Sequence, residues 1–270
     1  AHSDLLQAHR AAGNTPEVLA RVEAFIHDGR VTGALLDIEG DRLTAQGFFD
    51  YWAAILYRAG LEPPDATLVD FDPTLAPELP EAAPVVVQLP PSYESAPARR
   101  YPVLYFLHDA IGSERTLERK GLAGRLDAEM AAGRLPELLV VSPRGVATWF
   151  TDAHDGRVRY GAFLDRTLVP WVDATYRPLP RRSARAAAGI SMGGYGAVRW
   201  SLRSPDLLGV AGGLSAAIPQ LARRTPESLP FFVRSSFRRV FGRTSAAGGY
   251  RSHDVASILL DSPGLAARAP

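Results

Sequence analysis

Residues 186–196 read Ala-Ala-Ala-Gly-Ile-Ser-Met-Gly-Gly-Tyr-Gly, and the spacing Gly189-x-Ser191-x-Gly193 sits inside them. The small, apolar run 186–190 has the character of a buried strand. The glycines at 193, 194 and 196 open a helical stretch that continues to Arg203. A strand, a one-residue turn and a helix in that order are the setting in which a serine is lifted out of a sheet, with small neighbours allowing strand and helix to approach closely. Ser191 is therefore the candidate nucleophile. The bland alternative is a glycine-rich βα turn with no chemistry. A phosphate cradle fits less well, because GISMGG has neither the G-x-G-x-x-G spacing nor the lysine of a P-loop.

Outward from this turn the chain alternates short β-branched runs with helical stretches. Strands are expected at 85–89, 103–107, 138–141, 186–190 and 208–214, and helices at 115–132, 160–176 and 192–203. That alternation predicts an α/β protein with an open, mainly parallel sheet. Before it, residues 61–84 are rich in proline and acids, a composition expected of an extended linker. Earlier still, Thr15 and Pro16 start a helical pattern over 16–27 (Val18, Leu19, Val22, Phe25, Ile26). A second pattern over 47–59 (Phe48, Tyr51, Trp52, Ile55, Leu56) stops at Gly60. The chain thus divides into an N-terminal helical module with its linker, 1–75, and an α/β domain, 76–270. The module is either a packing appendage or a helix pair that docks a protein partner.

The 270 residues are 46% hydrophobic and 22% charged, which places the chain among globular proteins. Thirty Lys and Arg against 29 Asp and Glu leave +1, so no global field recruits nucleic acid or an anionic membrane. The absence of cysteine excludes disulfides, thiolate metal sites and a cysteine nucleophile. Apolar runs fall far short of the roughly 20 residues of a spanning helix, and a soluble protein is expected. His154-Asp155 has no further ligands at metal spacing, and no cofactor motif occurs. The chain begins Ala1-His2-Ser3, without an initiator Met, so residue 1 is a processing site or an artificial boundary.

A serine nucleophile needs two N–H donors for the developing oxyanion. The N–H of Met192 is one candidate. The loop His108-Asp109-Ala110-Ile111-Gly112 after the strand 103–107 offers that of Ala110 as the other. His108, closing a central strand, is expected to be a packed structural residue rather than the general base.

Together, Pro102 to His108, Trp149-Phe150, Tyr160 to Tyr176 and Ala188 to Ala197 resemble the esterase family of α/β-hydrolases. That family includes S-formylglutathione hydrolase, feruloyl and siderophore esterases and the mycolyltransferase antigens. The resemblance covers roughly residues 84–260. It implies hydrolysis of an acyl ester or thioester, or acyl transfer to an alcohol, by a Ser-His-Asp triad without metal or organic cofactor. Two departures stand out. His108 is followed by Asp109 where the family has glycine, which sets a carboxylate beside the oxyanion site. After Ser191 the only histidine is His253, and the string 251–260 resembles what precedes the family's acid-bearing strand. By this alignment the acid and base fall beyond Pro270. Three readings follow: a fragment of an esterase, an incomplete domain that binds without catalysing, or an enzyme in which His253 is the base with Asp254 or Asp261 as orienting acid. The bland expectation for His253 is an exposed loop residue.

Trp149 and Phe150 follow a strand end, where open α/β sheets bind ligands, and are expected to wall the substrate site; loop packing is the alternative. Residues 221–243 hold six arginines against one acid, with Val233, Phe237, Val240 and Phe241 on one stripe. This is expected to be a cap helix whose Phe231, Phe232 and Phe237 line a substrate channel. A membrane surface is the lesser alternative.

Overall fold

A computed structural model describes residues 66–69, 71–72, 74–218, 231–242 and 253–261. The chain divides into two compact units, and nearly all described residues belong to the larger, Pro64–Glu118 with Leu122–Pro270. The two N-terminal helices expected at 16–27 and 47–59 lie outside the described residues.

Six strands form one sheet: β1 (Ala66–Val69), β2 (Val85–Gln88), β3 (Val103–Leu107), β4 (Leu139–Pro143), β5 (Arg185–Ile190) and β6 (Val210–Leu214), in the order β1-β2-β4-β3-β5-β6. β4, β3, β5 and β6 run parallel, and β1 and β2 form an antiparallel edge. Every residue of β2 and β4 is buried, as expected of strands covered on both faces. The register Leu107↔Gly189 and Ile190↔Leu214 brings the carboxyl ends of β3, β5 and β6 level. Ser191 begins one residue past that line.

Two expectations change in the helices. The run expected over 115–132 is two pieces, α1 (Thr116–Arg119) and α2 (Leu122–Ala131), because Gly121 takes a left-handed φ of 67° between them. The run over 160–176 is continuous but uneven: α3 (Tyr160–Phe163), a wide π turn (Leu164–Leu168) and α4 (Val169–Thr175). Pro170 has no N–H to give the preceding turn, and the chain widens where that bond is missing. The wide turn carries Asp165, whose carboxylate accepts Trp200 Nε1–H at 2.6 Å and Ser204 Oγ–H at 2.7 Å. Both donors lie at the carboxyl end of α5 (Met192–Arg203), or just past it, so the π turn anchors the helix that Ser191 opens.

The proline-rich stretch 61–84 is more than a linker. It contributes β1, paired with β2 at Thr67↔Val87, and it buries Phe71, Ala76, Leu79 and Ala83 in the main core. The strand itself, Ala66-Thr67-Leu68-Val69, is free of proline and lies at the edge of the sheet. α6 (Phe231–Phe241) and α7 (Val255–Asp261) complete the described elements. Among the described residues no helix is long and apolar enough to cross a membrane.

Candidate active site

Ser191 adopts φ 53°, ψ −112°, a conformation that costs a non-glycine residue about 1–3 kcal/mol. Three main-chain bonds hold it there. Its N–H donates to Leu214 O at 3.0 Å, and its carbonyl accepts from Ala217 at 2.9 Å and from Tyr195 at 3.1 Å. The end of β6 and the first turn of α5 therefore clamp the turn from both sides. Gly189 and Gly193 make this possible: a Cβ on Gly189 would stand 2.4 Å from the Gly193 backbone, and one on Gly193 would stand 1.9 Å from Leu107 O. Side chains at either position would push α5 off the sheet.

The N–H of Met192 lies in the first turn of α5, where amides have no partner within the helix. Neither it nor the N–H of Ala110 has a hydrogen bond among the described residues. Both belong to chain ends at the same edge of the sheet, one after β5 and one after β3. The α5 dipole adds partial positive charge at that end.

The His108-Asp109 departure resolves into local structure. The Asp109 carboxylate is buried, and Oδ1 accepts the N–H of Ile111 at 3.1 Å, so it shapes its own loop. His108 Nε2 accepts Gly145 N–H at 2.9 Å, and Nδ1 lies 2.6 Å from Asp109 O. Nε2 is therefore the bare nitrogen and Nδ1 carries the proton. With its ring edge-to-face on Phe150, His108 is a packed strut between the β3 and β4 loops.

His253 is buried, not exposed as a loop histidine is expected to be. Nδ1 faces Thr151 Oγ1 at 3.3 Å, the ring packs on Phe241, and its carbonyl accepts Tyr195 O–H at 2.7 Å. No hydrogen bond joins it to Ser191. Burial first, then Arg199, Arg203 and His154, hold its pKa down to about 3, so the ring is neutral at ordinary pH. Asp254 does not orient it: Oδ2 accepts both N–H and Oγ–H of Ser257 and caps α7. Asp261 lies exposed at the far end of that helix. The arrangement of His253 with Asp254 or Asp261 as base and acid is thus not formed. Replacing Asp254 by Ala is expected to cost about 1 kcal/mol of stability through the lost cap, measured by urea denaturation; a neutral result would refute the capping role.

Trp149, Phe150 and Phe237 lie in the core, at 5%, 1% and 3% exposure, rather than on an open wall. Trp149 and Phe150 both take left-handed φ values (54° and 52°), which fold them back beneath α5. Gly145 and Gly196 leave the room: a Cβ on either would overlap Phe150. Trp149 donates Nε1–H to Ser236 Oγ and packs edge-on against Tyr195, Phe237 and Phe241. This contact seats α6, whose Arg234, Arg238 and Arg239 face solvent. The expected Phe231 and Phe232 channel concerns side chains outside the described set.

A strained serine between a strand and a glycine-opened helix, at the carboxyl edge of a mainly parallel sheet, defines an α/β-hydrolase fold. The family described as "Putative esterase" matches residues 76–239, more than half of the sequence, and the chain belongs to it. It is 32% identical over 122 residues to the esterase Rv1288 of Mycobacterium tuberculosis, covering 44% of this chain and 26% of that protein. It is also 32% identical over 120 residues to an endo-1,4-β-xylanase/feruloyl esterase of Xylanibacter ruminicola, covering 43% and 16%. The chain thus matches about a quarter or less of the length of these curated relatives. Among solved structures, the fluorophosphonate-binding serine hydrolase F of Staphylococcus aureus superposes with a TM-score of 0.59 at 20% identity, over 77% of each chain. A ferulic acid esterase gives 0.55 at 21%, over 78% of this chain and 88% of that one. Both share the fold.

Proposed function

We propose that this chain is a serine hydrolase of small-molecule carboxylic esters or thioesters. Ser191 Oγ attacks the acyl carbon as a base removes its proton. The N–H groups of Met192 and Ala110 hold the oxyanion, and collapse expels the alcohol or thiol, which takes up a proton. Water, or an acceptor alcohol, then attacks the acyl-serine and releases the acid or the transferred ester. The chemistry uses no metal or organic cofactor. The observation that carries this reading is the strained φ of 53° at Ser191, maintained by three main-chain bonds and two glycines that tolerate no side chain. Membership of the esterase family supports it.

A second reading, a catalytically incomplete domain that binds its ligand, is favoured by one observation. Among the described residues no imidazole is hydrogen-bonded to Ser191, and His108 and His253 are committed elsewhere. Treatment with a fluorophosphonate, beside Ser191→Ala, separates the two. The hydrolase reading expects labelling at Ser191 at least ~10³-fold faster than at any residue of the variant. A folded protein that stays unlabelled would leave the binding reading in its place.

A further inference from the structure

A cavity of about 230 Å³ opens at the carboxyl edge of the sheet beyond β4, and Ser191 is not among its lining residues. Its walls come from the loop before β2, the loop after β4 and one turn of α6. The body is apolar, with Leu79, Pro80, Val146, Val158 and Val240. Its hydroxyl groups are already spent: Tyr160 donates to Arg144 O, Thr148 to Gly145 O, and Thr151 Oγ1 meets His253.

What remains available is charge. Arg239 has no partner among the described residues. Among the described residues the Arg144 side chain approaches only Glu114, at 3.9 Å from Nε and beyond hydrogen-bond reach, which leaves its two terminal nitrogens without a partner there. One exposed carboxylate, Glu81, shares the rim. The guanidiniums spring from fixed backbone. Arg144 N–H donates to Pro84 O at 2.9 Å, its carbonyl accepts Tyr160 O–H at 2.7 Å, and His154 N–H donates to Val240 O at 2.8 Å, tying α6 to the loop. Ala147, in the cavity wall, takes a left-handed φ of 57°, and non-glycine strain of this kind gathers where a ligand is held.

We propose that this cavity is a second binding site, separate from Ser191, for a small amphiphilic carboxylate whose apolar tail fills the body while Arg144 and Arg239 grip the anionic head. Two guanidinium forks facing a planar anion match its geometry. The volume lies below that of drug-sized sites and suits a short chain.

Calorimetric titration with hexanoate, hexanol and hexylamine tests it, using wild type, Ser191→Ala and the double variant Arg144→Gln/Arg239→Gln. Both arginines are exposed, and an unchanged melting temperature establishes that the double variant folds. Hexanoate is expected to bind wild type and Ser191→Ala equally, at least tenfold tighter than hexanol or hexylamine, and at least tenfold more weakly in the double variant. Equal binding of hexanoate and hexanol, unaltered affinity in the double variant, or no heat at all would overturn the proposal. Loss of hexanoate binding in Ser191→Ala would place the acid at the serine instead, and overturn it too. Since no arm requires turnover, an inactive Ser191 leaves this test intact.

Discussion

A Gly193→Ala variant is expected to lose at least about 4 kcal/mol of stability, a large part of the roughly 5–15 kcal/mol that holds a domain folded. The new methyl carbon would stand 1.9 Å from Leu107 O, 2.4 Å from Leu107 C and 2.6 Å from His108 O. All three atoms are backbone of β3 or its first loop residue. β3 cannot yield, because it is bonded to β4 on one side and β5 on the other. The clash therefore has to be relieved by lifting α5, which breaks the clamp on Ser191 and uncovers Tyr195 and Trp200. Ordinary overpacking costs 1–3 kcal/mol where side chains can shift; here only main chain is available to move. Gly212→Ala is the control, since a Cβ there meets nothing nearer than Ala188 Cβ at 3.9 Å. Denaturant midpoints of the two variants decide the matter. A Gly193→Ala protein within 1 kcal/mol of wild type would mean that α5 does not approach β3 as closely as the structure has it.

The acid limb of stability should be steepened by one residue, His253. In the folded protein its pKa lies at about 3, and in the unfolded chain at the ordinary value near 6.5. Between those values the unfolded chain holds a proton that the folded one does not. Stability therefore falls as pH falls, by about 1.4 kcal/mol per unit, and above about pH 6.5 this group has no effect. A His253→Gln variant starts from its own baseline, because the ring contact with Phe241 is lost. It should nevertheless lack this slope. The difference between the two stability curves is expected to be flat from pH 7 to 8 and to close by roughly 3 kcal/mol by pH 4.5. Parallel acid limbs would show that His253 titrates in the folded state as it does in water, and that the interior drawn around it is wrong.

Periodicity and small-residue patterning were enough to find the scaffold. β3 and α5 fall on the residues expected, since VLYFL and MGGYGAVRWSLR each carry one dominant signal. β1 escaped because ATLV lies among prolines, and only its pairing with β2 makes it a strand. The π turn and the break at Gly121 depend on where one missing bond or one left-handed residue falls, and periodicity spans both. The strained turn at Ser191 was legible because it requires small neighbours at fixed spacing, Gly189 and Gly193. Trp149 and Phe150 were not, because residue type does not announce a left-handed backbone at an aromatic residue, and that backbone is what turned both rings inward. His253 was misplaced for another reason: its burial comes from Phe241, Thr151 and Tyr195, three distant parts of the chain that converge on it.

The central place of β3 also bears on how the protein is made. Both of its partners follow it in the chain: Val103 waits for Leu139 on one side and for Arg185 on the other. During synthesis the run Val-Leu-Tyr-Phe-Leu thus emerges with two open edges, and most of the chain must appear before both are closed. Such a segment is the kind most prone to pair with other chains. Arg99 and Arg100 stand just ahead of it, the kind of charged residues that flank unavoidable apolar strands. A strand paired on both sides in the finished molecule is thus the one whose edges stay open longest while it is being built.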